Sequence, residues 1–146
     1  MSFQAEAVVD LDTIAANVDA LVRHVDAAVM PAVKADAYGH GLVPTARACL
    51  SGGASRLGVA TLDEAMTLRG NGIAEPILAW LVAPGLDVTA AIDAGVELGA
   101  GSAEQLSELA AAGARRKDVL TPLACFIQFT DLHVVDVQSP LRTEYL

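Results

Sequence analysis

Apolar and polar positions along the first 114 residues fall into two alternating patterns. Residues 5–10 form a short valine-rich run, and behind it Leu11, Ile14, Val18, Leu21, Val22 and Val25 recur at spacings of three, four and seven. A short apolar run reads as a strand and a period near 3.6 as an amphipathic helix, here with Asp12 as the expected N-cap. A second run, residues 27–33, leads into Lys-Ala-Asp-Ala-Tyr-Gly-His-Gly. Leu42, Val43, Ala46, Cys49 and Leu50 then mark a helix that tolerates Pro44 in its first turn and stops at Gly52-Gly53. The alternation continues: strand 57–60 and helix 62–69, strand 77–82 and helix 86–94, strand 96–98 and helix 103–112 with Ser102 as N-cap. Gly or Pro punctuates the junctions.

Five strand candidates separated by helices describe successive βαβ units, so the expected class is α/β, a parallel sheet with helices packed outside it. Two closures satisfy this pattern. A doubly wound sheet can finish in the available length, whereas a (β/α)8 TIM barrel needs about 250 residues and would be only partly present. Neither closure names a function.

Composition narrows the classes of partner. The chain has 146 residues, enough for one domain. Hydrophobic residues make up 53% and charged residues 18%, which supplies a core and argues against disorder. Nine Lys and Arg against 18 Asp and Glu give a net charge of -9, the wrong sign for a surface that neutralises a phosphate backbone. Nucleic acid is therefore not an expected partner. No apolar run approaches the roughly 18 residues of a membrane span, and the N-terminus lacks the basic and apolar regions of a secretory signal. The expectation is a cytoplasmic protein without membrane contact. Cys49 and Cys125 stand far apart with no metal-ligand spacing, so both read as free thiols and no metal site is expected.

A composition break follows Ala114. The 114 residues before it hold 27 alanines and 12 glycines; the 32 after it hold one alanine and no glycine. The acidic excess is confined to the first part, because the tail carries four basic and four acidic residues. An ordinary domain edge explains such a break, and so does a departure from the ancestral reading frame near Arg115. The expected organisation is a folded unit over 1–114 and a divergent tail over 115–146, out-of-frame or disordered.

Candidate chemistry collects at the end of the second strand. Ligands bind at the carboxyl ends of parallel strands, where loops and helix N-termini converge. Lys34 stands there, the only lysine before residue 117. Apolar neighbours that partly desolvate a lysine lower its pKa and free the amine for Schiff-base formation with an aldehyde. A solvated loop lysine would occupy the same position. Tyr38 offers a phenol to an anion or packs at the rim. Gly39 and Gly41 permit a tight turn and close backbone approach.

Taken whole, the string PAVKADAYGHG (residues 31–41) resembles the pyridoxal-phosphate attachment site of the alanine racemases. The resemblance also runs through AEAVVDLDTIAANV, LGVATLDEAMTLRGNGI, EPILAW and GSAEQLSEL, and covers about residues 4–114. It implies a partial (β/α)8 barrel of the alanine racemase N-terminal type, and in complete members a second, β domain. It implies pyridoxal 5'-phosphate as cofactor and alanine as substrate. The reaction implied is the isomerisation of L-alanine to D-alanine for the cell wall, by a homodimer whose partner completes each site. Residue by residue, Lys34 looks like the Schiff-base lysine and one of two catalytic bases, and Tyr38 like a ligand of the cofactor phosphate. Trp80 looks like the apolar residue beside the cofactor, or else a barrel-core aromatic. His40 is expected to cap the following turn. The opposing tyrosine, the later phosphate loops and the arginine facing the pyridine nitrogen have no counterpart here, and Tyr145 lacks the matching context. Racemisation by this chain alone is therefore not expected. The alternatives are a non-catalytic pyridoxal-phosphate-binding protein and a non-functional racemase remnant. Serine or another small amino acid is an alternative substrate.

Overall fold

The structure is a computed structural model and describes residues 7–114. The tail over 115–146, with Cys125, Lys117 and Tyr145, lies outside the described residues. Helices and strands follow in the order α1 (Leu11–His24), α2 (Lys34–Gly39), α3 (Leu42–Ser51), β1 (Leu57–Val59), α4 (Leu62–Gly70), β2 (Ile77–Ala79), α5 (Thr89–Asp93), β3 (Glu97–Leu98) and α6 (Ala103–Ala114).

The helices start where side chains satisfy their first N–H groups. Asp10 caps α1, accepting from the Thr13 N–H at 2.9 Å and from the Thr13 hydroxyl at 2.8 Å. The expected cap, Asp12, instead lies inside the first turn, because Asp10 is the residue with extended backbone and the helix begins directly after it. Thr61 and Glu64 form a reciprocal capping box at the start of α4. Ser102 accepts from the Gln105 N–H at 3.1 Å, as its position before α6 predicts.

The three strands pair in parallel in the order β1-β2-β3, with Leu57, Gly58 and Val59 opposite Ile77, Leu78 and Ala79, and Leu78 and Ala79 opposite Glu97 and Leu98. Ala32 adds a parallel bridge to Gly58 on the other side of β1. Each new strand therefore joins the same edge of the sheet without a reversal. A doubly wound sheet reverses its order at a switch point and a barrel does not, so the arrangement is the one a partial (β/α)8 barrel requires.

Two strands expected from the apolar pattern are not formed. Residues 7–10 are irregular and Val8 is 80% exposed; the start of that run lies outside the described residues. The run 27–33 reduces to the Ala32 bridge, held by Val33 N–H to the Gly58 carbonyl and Gly58 N–H to the Pro31 carbonyl, both 2.9 Å. Pro31 has no N–H, and no strand among the described residues pairs with the far side of this segment. The helix expected over 86–94 contracts to Thr89–Asp93 behind the Pro84-Gly85 turn.

Strand side chains alternate between faces. Leu57, Val59, Ile77 and Ala79 are fully buried against Ala46, Cys49, Ala65, Leu68 and Ala91 of the helices, and this layer is the core. The Cys49 thiol lies within it, and burial pushes its pKa up. The opposite face, the barrel interior, carries Gly58, Leu78, Trp80, Glu97 and Gly99. At its lower end Arg56 pairs with Glu97 at 2.6 Å. No helix among the described residues is long and apolar enough to cross a membrane, and no group of His, Cys, Asp and Glu among them is placed to hold a metal.

Candidate active site

Parallel register decides which residues share a layer. Ala32, Gly58 and Leu78 lie on one rung, and Glu97 continues it. Two residues further on, the same register brings Lys34, Ala60, Trp80 and Gly99 to the carboxyl end of the sheet. The ladder reaches that edge through Leu81 N–H to the Ala60 carbonyl at 2.7 Å and Gly99 N–H to the Ala79 carbonyl at 2.8 Å. This is the end of a barrel at which ligands bind.

Directly after Lys34 the backbone turns left-handed. Ala35, Asp36, Ala37 and Tyr38 have φ of 54°, 53°, 50° and 57°, and Gly39 and Gly41 continue at 86° and 93°. For each residue with a Cβ this conformation costs about 1–2 kcal/mol, so the turn persists only because its surroundings hold it. Ala37 N–H donates to the Val33 carbonyl at 3.0 Å, and Gly41 N–H to the Asp36 carbonyl at 3.0 Å. The Asp36 carboxylate accepts the first N–H of α3, from Leu42, at 2.6 Å. His40 Nδ1 donates back to the Ala37 carbonyl at 2.6 Å and so closes the preceding turn; the cap expected of it on the following turn comes instead from Asp36, whose carboxylate is the one that reaches the Leu42 N–H. Ala35 N–H donates to Glu64 Oε1, also at 2.6 Å.

The winding brings Tyr38 back beside Lys34: the lysine Nζ lies 5.6 Å from the centre of the phenol ring. Lys34 is half-buried and Tyr38 is 77% exposed. Trp80, also half-buried, lays its ring across Gly58, where a Cβ would overlap the indole. Gly99 presses against the Trp80 backbone, and a Cβ there would stand 2.8 Å from the Trp80 Cα. The structure thus joins Lys34 and Tyr38 directly and sets Trp80 in the same layer by register.

Glu64 is the residue that sequence reasoning passed over. Its Oε2 accepts from the N–H groups of Ala60 and Thr61 at 2.9 and 3.1 Å, while Oε1 takes Ala35. Burial alone would raise its pKa, but these N–H groups and the Thr61 hydroxyl outweigh it and hold the carboxyl below the usual range. The T-x-x-E capping box was a visible signal; the bond to a residue 29 positions away was not.

The donor set suits an aldehyde cofactor bearing an anionic group: a primary amine at a strand end, a phenol beside it, and an indole seated on glycine. The family model described as "Alanine racemase, N-terminal domain" matches residues 9–129. The chain belongs to the alanine racemase family. Among its relatives, the alanine racemase of Salinispora arenicola is 56% identical over 111 residues, 76% of this chain and 30% of that protein. The alanine racemase of Thermobifida fusca is 55% identical over 120 residues, 80% of this chain and 32% of that protein. The chain therefore spans about a third of the length of these relatives. The crystal structure of alanine racemase from Streptomyces lavendulae superposes with a TM-score of 0.69 at 42% identity, covering 73% of this chain and 28% of that one. Alanine racemase from Bacillus anthracis, solved with bound L-Ala-P, gives 0.65 at 40% identity, covering 71% and 28%. The match takes in Lys34, Tyr38, Glu64 and Trp80 and runs beyond Ala114, past the composition break.

Proposed function

We propose that this chain carries the cofactor-binding half of an alanine racemase site, with Lys34 as the amine that bonds pyridoxal 5'-phosphate and as one of the two bases of L-alanine and D-alanine interconversion. The observation that carries this reading is the position of Lys34, half-buried at the carboxyl end of a parallel sheet and directly before a left-handed turn. When bound, pyridoxal phosphate draws electrons from the substrate Cα and acidifies its proton. Lys34 Nζ would serve one face, taking or returning that proton. Tyr38, exposed beside it, would offer its phenol O–H to the phosphate, and Trp80, half-buried with its ring on Gly58, would supply an apolar wall.

Inversion needs a base on each face, and the described residues supply one. We therefore propose that the 146 residues alone bind the cofactor without racemising alanine. A homodimer, cytoplasmic location and a role in supplying D-alanine to the cell wall belong to the same reading. The test is to incubate the purified chain with pyridoxal phosphate, reduce with borohydride and map the pyridoxyl adduct by peptide mass spectrometry. The expected result is modification of Lys34 with Lys117 left free. Equal labelling of the two lysines, or none, overturns the proposal. Deuterium uptake at the alanine Cα by the loaded chain would favour the racemase over a purely cofactor-binding protein.

A further inference from the structure

We propose that Glu64 is a positioning residue for Lys34: its carboxylate clamps the amide that follows the lysine and so sets the direction from which the amine meets an aldehyde. The inference deepens the reading of Lys34 as the cofactor amine and rests on it.

A capping-box glutamate ordinarily binds only the start of its own helix, reaching back to the N-cap N–H. Glu64 does that through Oε2, which accepts from Thr61 and, in addition, from Ala60. Its second oxygen leaves the helix entirely and accepts the Ala35 N–H at 2.6 Å, the shortest of the three bonds. One rigid carboxylate therefore ties two loops at the carboxyl end of the sheet, the one after β1 and the one carrying Lys34. Ala60 belongs to the same register layer as Lys34, so the tie fixes the lysine's backbone relative to the neighbouring strand.

The place of the tie matters. The chain leaves the extended path of the Ala32 bridge at Val33 (φ -106°, ψ 13°), and Ala35 is the first of four consecutive left-handed residues, so its amide stands where the backbone changes hand. Val33, just before the lysine, is almost wholly buried and bonds to Gly58, which fixes the other side. Lys34 is thus flanked by two ties, the Val33–Gly58 bond one peptide upstream and the Glu64 carboxylate on the peptide directly after it. Without the carboxylate the first N–H of the left-handed run loses its partner, so the turn, still held further on by the Ala37–Val33 and Gly41–Asp36 bonds, loosens at the residue next to Lys34 and the lysine loses its fixed direction.

Glu64→Gln tests this. Its amide keeps one acceptor and turns two donors toward a cluster of backbone donors, so either Ala35 or the Ala60 and Thr61 pair loses its bond. Thr61→Ala is the matched control, since it removes the capping hydroxyl but leaves the carboxylate in place. Both full-length variants and the parent chain are reacted with pyridoxal phosphate, trapped with borohydride at early times, and scored for the ratio of Lys34 to Lys117 labelling. Amide hydrogen exchange at Ala35 is followed in the same proteins without cofactor. The expected result is a labelling ratio lowered about tenfold or more in Glu64→Gln, with faster exchange at Ala35, and neither change in Thr61→Ala. A Glu64→Gln variant that matches Thr61→Ala in both readouts overturns the inference and reduces Glu64 to a helix cap. If the parent chain shows no Lys34 selectivity, the cofactor reading fails by itself. Glu64 is then judged on Ala35 exchange: acceleration in Glu64→Gln alone upholds the clamp, and unchanged exchange overturns it.

Discussion

At the scale of the residue, the unusual feature is a run of four side-chain-bearing positions in the left-handed region. Only glycine adopts that region without a steric cost, and yet Ala35 occupies it as an exposed residue. Ala35→Gly therefore removes a strained, exposed Cβ. Relief of about 1–2 kcal/mol of left-handed strain exceeds the roughly 0.5–1 kcal/mol that glycine loses through the freedom of the unfolded chain. The variant is expected to be more stable by about 0.5–1 kcal/mol, read as a rise of a few degrees in thermal midpoint. At an ordinary right-handed helical position the same change would lower stability by about 1 kcal/mol. A fall in midpoint would thus contradict the left-handed turn. Ala37 is no substitute for this test, because its methyl is buried and its loss would mix strain relief with lost packing.

At the scale of the element, α4 does more than cover the sheet. Its last turn carries Arg69, whose guanidinium donates to four carbonyls: Nε to Ala94 at 2.9 Å, Nη1 to Ile73 and Glu75 at 2.8 and 2.7 Å, and Nη2 to Gly95 at 3.0 Å. Those carbonyls lie in the turn before β2 and the turn before β3, so one side chain sets the entry of two successive strands. The planar fork of arginine reaches all four; the ammonium of lysine has three donors on a single atom and cannot span both turns. Arg69→Lys is expected to lose about 2 kcal/mol of stability by chemical denaturation, the worth of one or two bonds from a charged donor. A loss within experimental error would show that the turns hold their shape unaided. Much of this architecture was legible in the sequence, and for definite reasons. Helices α1, α3 and α6 announce themselves because one apolar face repeats along each, and Gly52-Gly53 and Ser102 mark ends by local chemistry. The strands were legible as apolar runs but not in length, since pairing depends on a neighbour: residues 27–33 pair only at Ala32. The left-handed turn was hidden altogether. Ala, Asp, Ala and Tyr carry no left-handed preference strong enough to read, and the groups that hold them there include Glu64, far along the chain.

At the scale of the whole molecule, the sheet converts distant sequence into one layer, and that conversion can be read optically. Adjacent strands lie about 4.8 Å apart, so the two steps from the Lys34 segment through β1 to β2 place Lys34 and Trp80 about 10 Å apart across the barrel mouth. Trp80 is the only tryptophan in the chain. A reduced pyridoxyl group absorbs where indole emits, and at so short a separation energy transfer between them is efficient. The chain labelled at Lys34 is therefore expected to lose most of its tryptophan emission relative to the unlabelled chain at the same concentration. Gly58→Ala makes the test specific to the fold. A Cβ at this position overlaps the indole ring, so the ring must leave its seat, and the buried surroundings of Gly58 leave the new methyl no other space. The variant is expected to show a shifted emission maximum before labelling and weaker quenching after it, with a stability loss of about 1–3 kcal/mol from overpacking. Emission unaffected by a confirmed Lys34 adduct would mean that the two residues do not share a layer. The parallel register from Ala32 through Gly58 to Leu78 would then be wrong, and with it the path by which this partial barrel assembles a site from strands that the sequence keeps apart.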